Sequence, residues 1–280
     1  MTALVLWLAF GKLAGVYETG IQALSETISK PPKRTQRRLF LSGLVNKPPL
    51  RWWLRDPVSR ASFSLTIAYL CRDRDVKLRV YPGLAPVLVM PLVFLLQSSR
   101  GISAGSFGLA FSSSYLGLMP LLALDLLKYS QQWQASDLFR VAPISGPAPL
   151  CHGARRAVLL FFTLPLLLLF SAAGWALGHH DSSFLLLLPG IIALPIYSLI
   201  PCLGGKAVPL SKAGEEAKAA GRAVQMVVVM VSAGLLAGAA SMAWSFHWFW
   251  WLILAETLIA IPLYLGLRAS VNAAGWEPID

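Results

Sequence analysis

Charge is what this sequence has least of. Only 13% of its 280 residues are Asp, Glu, Lys or Arg, and long stretches carry none. A soluble domain carries about a quarter, so an ordinary soluble globular chain is excluded. Acidic residues are the scarcer sign, 13 against 24 Lys and Arg, giving a formal net charge of +11. In a soluble protein that excess would suggest nucleic acid. Here no aromatic–basic module, zinc spacing or helix-turn-helix pattern accompanies it, so no nucleic-acid partner is expected. Cysteine is equally sparse. Cys71, Cys151 and Cys202 are far apart and form no Cys-x-x-Cys pair, which argues against a disulfide framework and for free thiols.

Catalytic signatures are also missing. The chain has no Gly-x-x-x-x-Gly-Lys-Ser/Thr loop, no His-Glu-x-x-His and no Gly-x-Ser-x-Gly, so the common nucleotide, zinc and serine-hydrolase routes are closed. His179-His180-Asp181 is the one ligand-like cluster. Adjacent residues on a tight loop do not converge on one metal, so neither metal nor cofactor is expected.

What is present is apolar: 56% of the chain. Six runs suit membrane spans, at about Leu84–Ser98, Phe107–Leu127, Ala157–Leu177, Phe184–Leu203, Val224–Trp244 and Trp248–Leu267. Most contain proline, including Pro86, Pro91, Pro165, Pro189, Pro195, Pro201 and Pro262. Proline is tolerated where neighbouring helices re-satisfy the freed carbonyls, which predicts kinked helices in a bundle. The expected fold class is therefore all-α: a polytopic membrane protein of six spans.

Basic residues set the orientation. Fourteen lie before the first span, and Arg100 stands alone in the first return loop. Lys128, Arg140, Arg155 and Arg156 fall in the second loop, and Lys206, Lys212, Lys218 and Arg222 in the fourth. The third and fifth loops have none, and the tail has Arg268. The alternation predicts a multi-pass protein of the plasma (inner) membrane with both ends of the six-span block in the cytoplasm.

Residues 1–55 form a separate N-terminal segment. Leu4 to Phe10 is apolar, and Leu13, Tyr17, Ile21, Leu24 and Ile28 continue near helical spacing. There is no basic n-region and no convincing cleavage site, so a signal peptide is not expected. An interfacial amphipathic helix and the tail of a span both fit. The cluster Lys30, Lys33, Arg34, Arg37 and Arg38 suits either a solvated loop or contact with anionic lipid. From Asp56 to Val80 the sequence predicts an amphipathic connecting helix capped by Asp56, with Pro57 in its first turn and an apolar stripe of Phe63, Ile67 and Leu70. Tyr81-Pro82 is expected to turn the chain into the membrane. Ser211 is expected to cap a long helix that runs through Glu215 and Glu216 into the fifth span. Gly234 and Gly238 are read as a close-packing face.

Two features carry candidate chemistry. Glu256 lies within the sixth span, where an ionised carboxylate costs about 2.5–3.5 kcal/mol. Either it contacts cargo or couples protons, or it makes a structural hydrogen bond, for instance to Ser112-Ser113-Ser114. Asp125, nearer the boundary, is expected to pair with Lys128 or cap its helix. The second feature is the polar loop 129–156. Trp133, Leu138 and Phe139 supply bulk, Asp137 and Arg140 supply charge, and Pro143, Gly146, Pro147 and Pro149 form a corner. A short amphipathic helix tied to two spans suits docking of a soluble partner; an interfacial helix without a partner is the plainer alternative.

Arg72–Arg79 leading through Tyr81-Pro82, the run Tyr129–Ile144 followed by Gly153-Ala154-Arg155-Arg156, and Pro209-Leu210-Ser211 together resemble permease subunits of ABC-2-type exporters, in a poorly characterised bacterial branch, over roughly Asp56–Arg268. The resemblance implies a connecting helix before six spans. It also implies that Trp133–Arg140 is a coupling helix for a separate ATPase subunit, and that the permease pairs with a second copy or a homologous permease. The chain itself would then be no enzyme. Two departures stand out: the fifth loop is only Ser245-Phe246-His247, where many members have helices, and the abrupt start suggests the C-terminal half of a larger permease. A membrane enzyme acting on lipid-linked substrates, with Glu256 and Asp125 as its acids, and a membrane scaffold are the alternatives.

Overall fold

The structure, a computed structural model, describes residues 48–98, 102–130, 133–144, 146–177, 182–205, 208–213 and 219–276. The expectations for the N-terminal segment up to residue 47, including Lys30–Arg38, lie outside the described residues, as do His179-His180-Asp181 and Glu215-Glu216.

After a short helix α1 (Pro48–Trp53), Asp56 starts α2 (Pro57–Arg72). Its carboxylate accepts from the Val58 and Ser59 amides at 3.4 and 2.9 Å, and Pro57 occupies the first turn, as the sequence predicts. One face of α2 is buried: Ser59, Ser62, Phe63, Thr66, Ile67 and Leu70, spaced by three or four.

The predicted helix to Val80 is in fact two helices. Asp73 takes an extended conformation, gives its amide to Tyr69 and accepts from the Val76 amide at 3.0 Å. It thus closes α2 and opens α3 (Arg74–Ser98). Tyr81-Pro82 does not turn the chain; both lie inside α3, and the Tyr81 hydroxyl donates to the Leu70 carbonyl at 3.0 Å, fastening α3 to the end of α2. A carboxylate between two helical runs is a stronger breaker here than a proline, because it satisfies the amides that a helix start leaves unpaired.

The second span is α4 (Ile102–Tyr115) and α5 (Leu118–Leu127), offset at Leu116-Gly117. The third is α7 (Ala148–Val158), a widened π turn (Leu159–Thr163) and α8 (Leu164–Leu177). The short helix α6 (Asp137–Val141) precedes it. Pro165 has no N–H for the preceding turn, and the ladder widens just before it. The fourth span is broken by its prolines into 3-10 (Ser182–Leu187), α9 (Leu188–Tyr197) and 3-10 (Ile200–Gly205) pieces. The fifth and sixth are α10 (Ala219–Ser245) and α11 (Phe249–Asn272).

Among the described residues six helical stretches are long and apolar enough to cross a membrane: 76–94, 106–127, 148–173, 184–204, 226–245 and 249–272. The fold is an all-α polytopic membrane protein. The second span is its centre, almost wholly buried, whereas along α11 only Phe249, Ala260 and Val271 are buried residues. Phe246, Trp248, Trp250 and Trp251 are exposed around the α10–α11 turn. Such a cluster suits a membrane–water interface. From Trp248 the helix rises about 30 Å to Arg268 at 1.5 Å per residue, which matches the thickness of the hydrocarbon core.

Close packing uses small residues, though not the expected pair. Ala233, Ala237 and Ala240 on α10 are fully buried, on the helix that packs along α4. A Cβ on Gly234 or Gly238 would meet nothing within 4 Å. The small-residue face is real but lies one residue away, because the Gly pair faces outward. Gly190 on α9 does need its missing side chain: a Cβ there would collide with the Ser113 and Ser114 backbone.

Candidate functional site

The polar loop between the second and third spans is held at both ends. At its start, Lys128 and Asp125 form a buried ion pair at 2.6 Å, as the sequence suggests. The backbone beyond it joins a second loop. The Leu210 amide donates to the Leu127 carbonyl and the Lys212 amide to the Lys128 carbonyl, both at 2.9 Å. Strand β1 (Tyr129–Ser130) then runs parallel to β2 (Lys212–Ala213). Ser211 therefore does not cap a helix. Its hydroxyl donates to the Val208 carbonyl at 2.9 Å, and the two residues after it, Lys212–Ala213, are strand. The Lys212 amide, which would open a helix capped by Ser211, is taken by the Lys128 carbonyl.

The segment expected to be a coupling helix forms a 3-10 turn (Trp133–Ser136) followed by α6. Its residues divide by direction. Phe139 packs partly buried against the core. Asp137 is exposed, Arg140 is half-buried, and Leu138 and Val141 are 71% and 84% exposed, with Trp133 at 40%. Phe139, grouped with the contact residues from sequence, is thus an anchor. Val141 joins the exposed set in its place. Its offset of three from Leu138, one helical turn, was the signal that could have found it.

At the far end of the loop, α7 seats on α2. Ser59 donates to the Pro149 carbonyl at 2.9 Å and Ser62 to the Leu150 carbonyl at 2.7 Å. Both bonds go to carbonyls in the first turn of α7. Gly153 permits the approach: a Cβ there would overlap the Ser59 carbonyl oxygen and lie 2.6 Å from the Ser62 Cβ. Arg155 and Arg156, read from sequence as loop cations, are already helical. Arg156 lies over the Trp53 ring, 5.6 Å from its centroid. Arg155 is only 8% exposed. One guanidinium nitrogen reaches the Tyr264 hydroxyl at 3.2 Å, while Nε and Nη1 have no partner.

Glu256 sits on α11 two turns from Tyr264. Both carboxylate oxygens are buried without a hydrogen-bond partner. The Ser112–Ser114 run does not serve it. Ser112 bonds to the Gly108 and Pro91 carbonyls at 2.7 and 3.1 Å and Ser113 to Ala110 at 3.0 Å, while the buried Ser114 hydroxyl has no partner. Near Glu256 the Tyr197 and Ser232 hydroxyls form a pair at 3.0 Å, and Tyr197 lies within electrostatic reach of the carboxylate. Asp125, in the last turn of α5, is committed to Lys128, so the structure supplies Glu256 with no second acid from that position.

Among the described residues no group of three His, Cys, Asp or Glu could hold a metal. All three cysteines are free thiols, but Cys151 and Cys202, remote in sequence, are buried with their side chains in hydrogen-bond contact. Asp56 lies outside the spans. Partial burial opposes its ionisation, but the Ser59 amide and hydroxyl, the Val58 amide and the Arg156 charge outweigh it and hold the carboxyl below its ordinary value.

No protein-family model, curated protein or solved structure matches this chain. The fold and site define a class, a polytopic α-helical membrane protein with a short solvent-exposed helix between spans and a buried carboxylate.

Proposed function

We propose that the chain is the membrane-spanning permease subunit of an ATP-driven exporter in the plasma membrane. The surface formed by Trp133, Asp137, Leu138 and Val141 receives a separate ATPase subunit on the cytoplasmic side, where the basic loops lie. The observation that carries this is the α6 helix. It exposes Leu138 and Val141 to solvent, is anchored by Phe139, and is joined within a few residues to two spans. Exposed aliphatic bulk on a polar loop is what a partner surface needs. Force applied there passes along two routes. One runs through the 143–149 corner into α7 and its partner α2. The other runs through the β1–β2 pairing towards α10. The π turn before Pro165 and the broken fourth span are places where such a bundle bends with little cost.

Glu256 supports a transport site in the same bundle. A buried carboxylate without partners is a place for a cargo group or a proton to bind. A lipid-linked enzyme using Glu256 and Asp125 together has less support, because Asp125 is already paired. The docking surface is tested by Leu138→Asp with Val141→Asp in the full chain. The double variant should insert and fold normally yet lose co-purification of a subunit that carries a Walker loop and hydrolyses ATP. Retention of that subunit at the wild-type ratio would refute the docking surface.

A further inference from the structure

Three arginines from three separate elements converge on one cavity of about 270 Å³: Arg55 ahead of α2, Arg156 on α7 and Arg268 on α11. Trp53, His152 and Asn272 are among the other residues that line it. Asp56 also lines it; its carboxylate accepts from the Val58 and Ser59 amides and its charge also acts on Arg156. The Lys128–Asp125 pair is the one salt bridge among the described residues, so among those residues none of these arginines has a carboxylate partner within 4 Å. Three guanidinium groups against one carboxylate leave a formal excess of two positive charges on the cavity wall. The buried Arg155 stands behind it, and Arg155 and Arg268 both act on Arg156. Like charges held this close lower one another's stability unless an anion compensates them.

Arg55 and Arg268 are exposed at the rim of the cavity, Arg55 over the Trp52 ring, while Arg156 is half-buried. Arg156 is fixed against the Trp53 ring. His152 Nε2 and Asn272 Oδ1 lie 2.8 Å apart across the cavity, bridging α7 and α11. Arg268 marks the end of the roughly 30 Å apolar rise of α11, which places the cavity at headgroup depth. Guanidinium forks match phosphate oxygens, and charge-assisted bonds of this kind are the stronger ones. The volume suits a phosphate with a small alcohol and is below that of pockets for drug-sized ligands.

We propose that this cavity binds an anionic phosphate group, carried by a phospholipid headgroup or by a soluble phosphate, and that the bound anion ties α7 and α11 to the segment entering α2. The proposal does not depend on the ATPase partner.

The test uses the full chain, purified and exchanged into mixed phosphatidylglycerol and phosphatidylcholine, with retained lipid read by native mass spectrometry. Inorganic phosphate is titrated separately by calorimetry. Wild type should retain phosphatidylglycerol over phosphatidylcholine by about tenfold or more. Arg156→Gln with Arg268→Gln should abolish the preference. Arg156→Lys with Arg268→Lys should keep part of it, which guards against misfolding of the first variant, and Arg74→Gln, an exposed cation elsewhere, should leave it unchanged. Saturable binding of inorganic phosphate without a lipid preference, lost in the same Gln variant, would also support the site and assign its source as soluble. A lipid preference equal in wild type, the Gln variant and Arg74→Gln, or no binding in either arm, would overturn it.

Discussion

Replacing Gly153 by alanine should be among the most damaging single-methyl changes in the described residues. The new Cβ would overlap the Ser59 carbonyl oxygen, lie 2.6 Å from the Ser62 Cβ and lie 3.0 Å from the Phe63 amide nitrogen. Two of those three neighbours are backbone, so no rotamer change relieves the clash, and α2 and α7 must separate. Separation stretches the Ser59–Pro149 and Ser62–Leu150 hydrogen bonds, now 2.9 and 2.7 Å. Each is worth about 0.5–1.5 kcal/mol, and overpacking of a filled interface costs about 1–3 kcal/mol. The expected loss is about 2–6 kcal/mol. Gly238→Ala is the matched comparison, since its Cβ meets nothing within 4 Å. It should be neutral or stabilising by up to about 1 kcal/mol, because alanine favours helix over glycine. Thermal unfolding of both variants in one detergent, followed by loss of monodisperse protein, compares them directly. If Gly153→Ala unfolds within a degree or two of wild type, α2 does not pack on α7 as described.

Other expectations follow from the caps and buried charges. Asp56→Ala should cost about 1 kcal/mol by leaving the first amides of α2 unpaired, measured in the same unfolding assay. The Asp56 carboxyl is held below its ordinary value in the folded chain, so its contribution is present above the unfolded value near 3.9. It is lost as pH falls through the lower folded value, and the Asp56→Ala and wild-type curves should converge there. Lys128→Met should destabilise by about 3 kcal/mol, since it removes one partner of a buried pair, and Lys128→Met with Asp125→Leu should recover most of the loss. Glu256→Leu should stabilise the purified protein by about 1–3 kcal/mol, because it removes a buried carboxylate without partners. Glu256→Gln should abolish transport in reconstituted vesicles while leaving co-purification of the ATPase intact; full transport would remove the functional role of Glu256.

The spans, the start of α2 and the Asp125–Lys128 pair were legible because each rests on local chemistry: apolar length, a capping carboxylate beside Pro57, and a spacing of three. Other features depended on distant chain. Asp73 reads as one charge among several in Arg72–Arg79, and only the packing of Leu70 and Val80 on one core shows that the chain must break between them. Ser211 has the chemistry of a cap, but the carbonyls of Leu127 and Lys128 take the neighbouring amides first. The small-residue face was misplaced by one position because periodicity cannot choose between the Gly and Ala rows of α10. In the candidate site, the composition of Trp133–Arg140 suggested a docking helix, but which side faces outward depends on Phe139 finding the core. The arginine cavity was not legible at all, since residues 55, 156 and 268 come from three elements that meet only in the fold.

If α6 receives an ATPase, as proposed, Leu138 lies at the contact. A photoreactive phenylalanine analogue at Leu138, in the full chain within native membranes, tests it most directly. The account predicts one crosslinked product in which the attached peptide belongs to a protein with a Walker loop, lost when the analogue is moved to Phe139, which points into the core. Crosslinking at 138 only to lipid, or equally from 138 and 139, would contradict it.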